Sequence, residues 1–293
     1  GCLEPLGVRH AFFKGASLAH RYHADPAARP SRDVDVLVDQ TMAFAVVRHA
    51  RQAGYTPVRP IGPGDRDLAR WMKQETVYGM HSPNGVLIEI HHSLDHGDGV
   101  LDSHKILGRA ERIEFRGRSL PVLRTADLFV YMCMHHTRHF WSHLHWYADL
   151  DAITAHPLFD LAEVRELAAG VRLGSTIKAC LQLHEFARSA DWPETLSLER
   201  TASEALLARS VECLEGGPAR EVELRATRLS PDRAFAWQSS LSERAVLFVQ
   251  RVRRRLVKQF RRITTGIARR MRARLKGGVY PHGDSGGSGG GRA

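Results

Sequence analysis

Arg32-Asp33-Val34-Asp35-Val36-Leu37-Val38 decides how this chain is read. Val and Leu running together after a Pro- and Ser-containing turn predict a β-strand. Side chains alternate along a strand, so Asp33 and Asp35 share one face and Val34 and Val36 the other. Two carboxylates about 7 Å apart on one face repel each other unless a cation sits between them. Carboxylate oxygens are also the hard ligands that Mg²⁺ takes. The triplet therefore suggests a metal cradle. The plainer alternative is an edge strand with a solvated face.

Two flanking stretches favour the cradle. Upstream, Ala11-Phe12-Phe13-Lys14-Gly15-Ala16-Ser17-Leu18 reads as an apolar strand breaking into a small-residue turn and a helix. Gly15 lets a ligand approach the backbone just before a helix N-terminus, which favours phosphate contact for Lys14 over an ordinary strand-end lysine. Downstream, Val86-Leu87-Ile88-Glu89-Ile90-His91-His92 is a further strand. It puts Glu89 and His91 on one face against Ile88 and Ile90. Arg29, in the loop before the acidic strand, carries a fork that matches phosphate oxygens.

In this order, Lys14-Gly15, Arg29-Pro30-Ser31-Arg32, Asp33-Val34-Asp35 and Glu89-Ile90-His91 resemble the DNA polymerase β-like nucleotidyltransferases. Within that superfamily they look most like an uncharacterised bacterial family. The resemblance spans residues 8–155. It implies an α/β (α+β) fold, a mixed sheet with flanking helices, followed by a helical domain. It implies Mg²⁺-dependent transfer of a nucleoside monophosphate from a triphosphate, ATP first, to a hydroxyl-bearing acceptor, with release of pyrophosphate. Asp33, Asp35 and Glu89 would then be the catalytic acids and the ligands of two Mg²⁺ ions. Lys14, Gly15, Ser17, Arg29 and His91 would contact the nucleotide. Lys14-Gly15 stands where the wider superfamily has Gly-Ser, whose serine helps to hold the phosphates, so that task falls to other groups here. The rival from another class is a non-catalytic nucleotide-binding or regulatory protein on the same fold. The presence of all three acids speaks against it.

The chain has 293 residues, 43% of them hydrophobic, enough for one large or two ordinary cores. No apolar run reaches the ~18 residues of a spanning helix. No signal peptide is visible, although the opening Gly-Cys rather than Met leaves the natural start open. Cys2, Cys133, Cys180 and Cys213 are scattered without C-x-x-C spacing, which favours buried thiols in a reducing cytoplasm. The net charge of +10 is uneven: residues 244–276 hold 13 Lys or Arg and no acid, leaving −3 for the rest.

The expected organisation is a transferase domain over 1–123, a helical domain over 124–240, a basic amphipathic helix over 241–276 and a disordered Gly/Ser-rich tail over 277–293. Residues 1–10 read as the end of a helix, 42–53 as a helix stopped by Gly54, 55–59 as a strand and 60–67 as a loop suited to a mobile flap. Residues 76–81 and 86–92 read as a hairpin around an Asn84-Gly85 turn, and 112–115 and 119–123 as short strands. Helices follow from Thr125, over 145–154, 161–169, 175–188 and 202–215.

His135, His139 and His143 are spaced to share one helix face, which keeps a zinc site open as a second rival. No H-E-x-x-H pattern completes it, and Ser142 interrupts the helix. The resembled family carries a similar helix of His and Trp leading into Trp146-Tyr147-Ala148-Asp149. His135 and His139 are therefore candidate contacts for nucleotide or acceptor, with interdomain packing as the plain alternative. The basic helix could lie on an anionic membrane surface or dock on a partner protein. Nucleic acid is less favoured, since only Phe248 and Phe260 could stack on bases. The expected location is cytoplasmic, peripheral to a membrane if that helix engages lipid.

Overall fold

The Asp33-x-Asp35 strand is the central strand of a seven-stranded mixed sheet in the computed structural model of the chain. Residues 3–59, 61–62, 64–73, 75–95, 100–189 and 202–226 are described, together with Val249, Val252 and Leu256. The strands are β1 (His10–Phe12), β2 (Asp33–Val38), β3 (Thr56–Pro57), β4 (Val77–His81), β5 (Leu87–His91), β6 (Glu111–Phe115) and β7 (Arg118–Val122). Their order is β3-β4-β5-β2-β1-β7-β6. β2 runs antiparallel to β1 and parallel to β5, and β4 and β5 form the expected hairpin. Gly85 takes φ +79° in its turn, a conformation that glycine adopts without strain.

The helices are α1 (Gly15–Tyr22), α2 (Ala43–Gln52), α3 (Asp65–Met72), α4 (Ser103–Gly108), α5 (Thr125–Thr137), α6 (Leu144–Thr154), α7 (Leu161–Gly170), α8 (Gly174–Ser189) and α9 (Ala202–Ala226). The alternation of β2 divides two cores. Val36 and Val38 pack with Ile90, with Val46 and Val47 of α2 and with Leu68 of α3. Leu37 packs on the opposite face with Ala11, Phe13, Leu18 and the residues of α5. Register pairs Asp35 with Glu89 and Leu37 with His91, so the acids lie on the α5 face of the sheet. Helix α5 is buried on all sides, and His135 is its one residue that is not fully buried. A helix that is apolar all round belongs in a core.

Several expectations are corrected. Residues 4–6 form one 3-10 turn rather than a helix end, and Gly7 breaks it with φ +58°. The loop expected over 60–67 is cut short at Asp65, where α3 begins; its first turn carries Asp65 and Asp67 at the favourable end of the helix dipole. Helix α4 was not foreseen; Asp102 caps it by accepting from the His104 and Lys105 backbone N–H groups. The last expected helix runs on to Ala226, with a break at Gly217 before Pro218. The chain divides into a unit through Phe248 and another from Val249. The predicted basic helix and tail lie outside the described residues, except that Val249, Val252 and Leu256 are helical. Val249 and Leu256 are exposed. Among the described residues no helix is long and apolar enough to cross a membrane.

Candidate active site

The turn from β1 into α1 is built around Gly15, which has φ +60°. A Cβ there would lie 2.6 Å from Ser31 Oγ and 2.8 Å from the Asp33 carbonyl oxygen. Only glycine lets the turn sit this close to the loop entering β2. Ser17 Oγ donates to the Lys14 carbonyl at 2.9 Å, so the hydroxyl expected to reach a nucleotide braces the turn instead. Lys14 is thereby aimed across the sheet, with Nζ 2.9 Å from Asp35 Oδ1. The cation that the two acids call for is supplied by the chain itself.

Asp35 is buried and also accepts from His91 Nε2 at 2.9 Å; the same nitrogen lies 3.5 Å from Glu89 Oε2. His91 thus carries its proton on Nε2 and bridges two carboxylates. Burial pushes Asp35 up, but the His91 hydrogen bond and the Lys14 charge outweigh it and hold Asp35 below the usual carboxylate range. Asp33 is pushed up by its own burial and by the Asp35 charge. Burial works against the Lys14 charge, yet Tyr131 and the Asp35 carboxylate raise it above the ordinary lysine value.

Among the described residues, Asp35, Glu89 and His91 form a group whose ligand atoms all lie within 4.8 Å of one another. The expected trio was Asp33, Asp35 and Glu89. The structure gathers the last two with His91, and Asp33 lies one pleat away on the same face. The donor set fits a hard divalent cation. Three carboxylates line one face, and His91 presents an N–H rather than a lone pair. Such a cation would compete with Lys14 for Asp35.

Arg29 is anchored rather than loose. Its Nε and Nη2 donate to Asp149 Oδ1 and Oδ2 at 2.8 and 2.7 Å, and His23 Nε2 donates to Oδ1 at 2.9 Å. Asp149 is fully buried on α6. Burial works against the Arg29 charge, and the Asp149 carboxylate outweighs it, with Asp33 and Asp35 adding to the effect. The sequence showed Asp149 within its Trp-x-x-Asp stretch but gave it no task, because its partner is 120 positions away.

The histidines form a wall of rings. His135 stacks on Tyr131, and Trp146 stacks on both His136 and His143. His139 Nδ1 pairs with Glu221 at 2.7 Å. Helix α5 ends at Thr137, and Phe140 and Trp141 take positive φ, which turns the chain before His143. The zinc reading therefore fails: His143 stands at the N-cap position of α6, the three rings do not share a helix face, and among the described residues they form no group that could hold a metal.

Residues 1–187 match the profile of a family described as an uncharacterised nucleotidyltransferase. No curated protein matches the chain. Two solved structures show a partial likeness. An antigenic nucleotidyltransferase-like protein from Paracoccidioides brasiliensis is 14% identical, with TM-score 0.32 over 60% of this chain and 87% of its own. The antibiotic-resistance factor ANT(2'')-Ia is 10% identical, with TM-score 0.31 over 64% of this chain and 90% of its own.

Proposed function

The chain belongs to this nucleotidyltransferase family, and from that premise we propose that it moves a nucleoside monophosphate from a nucleoside triphosphate, ATP first, onto an acceptor hydroxyl. The observation that carries the reading is the register that puts Asp33, Asp35 and Glu89 on one face with Lys14 beside them. In this reading Asp33, Asp35 and Glu89 hold two Mg²⁺ ions. Bound Mg²⁺ neutralises phosphate oxygens and lowers the pKa of the attacking hydroxyl. Lys14 and the backbone N–H groups opening α1 bind the phosphates. Arg29, fixed by Asp149, offers its remaining N–H groups to them. Glu89, whose side chain is 34% exposed, is placed to take the proton of the hydroxyl. His91 fixes the orientation of Asp35 and Glu89.

Residues 1–123 form the transferase domain in this reading, and residues 124–240 wall it, with His135 and His139 facing nucleotide or acceptor. The protein works in the cytoplasm, and its basic segment over 244–276 engages an anionic membrane surface. The test is pyrophosphate release with Mg²⁺ and each of the four nucleoside triphosphates. Asp33→Asn and Asp35→Asn should each lower it by roughly a hundredfold or more, since each removes several kcal/mol of transition-state stabilisation. An Asp35→Asn protein with wild-type turnover would sink the reading.

A further inference from the structure

Glu89 faces two ways. Toward β2 it meets Asp35 and His91. Away from β2 it lines a cavity of about 270 Å³ shared with Val58, Arg59, Trp71, Gly79 and Leu87. Gly79 is the register partner of Glu89 on β4. A Cβ at Gly79 would meet Val58 Cγ2 at 3.3 Å, so a side chain there would press on the Val58 wall of the cavity. Trp71 brings a broad ring, with the Arg59 guanidinium carbon 5.8 Å from the ring centroid.

Strand order assigns the two sides of Asp35. Lys14 and α1 follow β1, on one side of β2; Glu89 and the cavity belong to β5 and β4, on the other. Displacement at phosphorus places the attacking and leaving oxygens roughly in line on opposite sides of the phosphorus. With pyrophosphate leaving toward Lys14, the attacking hydroxyl arrives from the cavity. Resting on the proposed transfer, we propose that this cavity is the acceptor site and that its occupant is a compact, uncharged one-ring molecule bearing a hydroxyl. The hydroxyl oxygen bonds to the α-phosphorus while its proton passes to Glu89. The bond from the α-phosphorus to the bridging oxygen breaks, and its electron pair leaves with pyrophosphate.

The size and lining set the class. The volume is about twice the ~150 Å³ of an apolar cavity that takes one benzene ring. That admits one substituted ring, not a polymer strand. Val58, Leu87 and the Trp71 ring suit an apolar ring face. Arg59 faces two carboxylates in the lining, Glu75 and Glu89, so the cavity holds no excess positive charge and disfavours an anionic occupant.

The test follows the Trp71 indole N–H in ¹⁵N-labelled full-length protein, its signal assigned with Trp71→Phe. That N–H is buried and without a partner among the described residues, so it reports on ring contacts rather than on solvent. The probes are a panel of uncharged one-ring compounds: cyclitols, methyl glycosides of monosaccharides, and phenols. At least one should shift the Trp71 signal to saturation with Mg²⁺ and triphosphate present. Gly79→Val, and separately Val58→Phe at a position 48% exposed, should weaken that binding tenfold or more. Both should bind Mg²⁺-triphosphate within twofold of wild type by calorimetry. The assignment is overturned if no panel member moves Trp71, if both filled variants bind the probe unchanged, or if triphosphate displaces the probe. If wild type binds no Mg²⁺-triphosphate, the transfer reading fails, and the acceptor assignment with it, whatever the cavity binds.

Discussion

Lys14 answers the electrostatic problem that Asp33 and Asp35 create. Without metal, two acids on one face should make their own neutralisation favourable. Asp33 behaves so, with its carboxyl pushed up by burial and by Asp35. Asp35 does the opposite because Lys14 and His91 both reach it. The two asparagine variants should therefore part company at neutral pH. Asp35→Asn leaves a largely buried ammonium without its partner and should cost about 3 kcal/mol in urea unfolding. Asp33→Asn should leave stability unchanged or raise it, since a group whose folded pKa is raised opposes folding when ionised. Equal losses would show that Lys14 does not discriminate between the acids. Lys14→Ala should raise the Michaelis constant for the triphosphate more than it lowers turnover, because a phosphate-positioning charge contributes mainly uniform binding. Unchanged steady-state kinetics would make Lys14 a structural cation only.

At the scale of elements, α5 and α6 do what the strands cannot. Helix α6 carries Asp149, which fixes the loop before β2 through Arg29. Asp149→Asn should cost about 3 kcal/mol in urea unfolding by leaving that guanidinium half-partnered, and should raise the Michaelis constant for triphosphate. A variant as stable as wild type would show that the loop is held by other contacts. Helix α5 carries His136, which is 3% exposed and has no hydrogen-bond partner on either ring nitrogen among the described residues. Burial first, then the nearby Lys14 and His139 charges, holds it well below the ordinary histidine value of 6.5. It stays neutral when folded, whereas the unfolded chain takes up a proton below that value. Its stabilising contribution is complete above pH 6.5 and is lost as pH falls from there toward the depressed folded value. Wild type should lose about 1 kcal/mol between pH 6.5 and 5.5 that His136→Phe does not lose. Parallel pH profiles for the two proteins would contradict this. Helix α5 was legible from its apolar run, but its end was not. The turn at Phe140 and Trp141 has positive φ at two bulky residues, a conformation sequence pattern argues against.

For the whole molecule, charge separates what contact also separates. The basic run over 244–276 begins close to the boundary between Phe248 and Val249. All three acids precede it by more than 150 positions. The full-length protein should sediment with anionic vesicles and not with neutral ones, less so in high salt because the charges are screened. Truncation after Ser242 should abolish vesicle binding and leave pyrophosphate release unchanged. Loss of solubility or activity on truncation would instead mean that the segment packs on the body. The other whole-molecule feature is the core that joins β1 and β2 to α5, α7 and α8. The sheet is therefore buried on the acid face by the helices that also wall the site.

Sequence alone determined what is local and periodic. A strand repeats every second residue, so Asp33 with Asp35, and Glu89 with His91, had to share a face before any fold was known. The Asn84-Gly85 turn likewise fixed the hairpin that carries Glu89. Only tertiary structure decided which strands became neighbours, and with that everything electrostatic: Lys14 on Asp35, His91 bridging Asp35 and Glu89, and Arg29 on Asp149. Those partners lie on different elements, up to 120 positions apart. A charge acts over a few ångströms of space, whatever the length of chain between the groups, and no local pattern in the sequence records that distance.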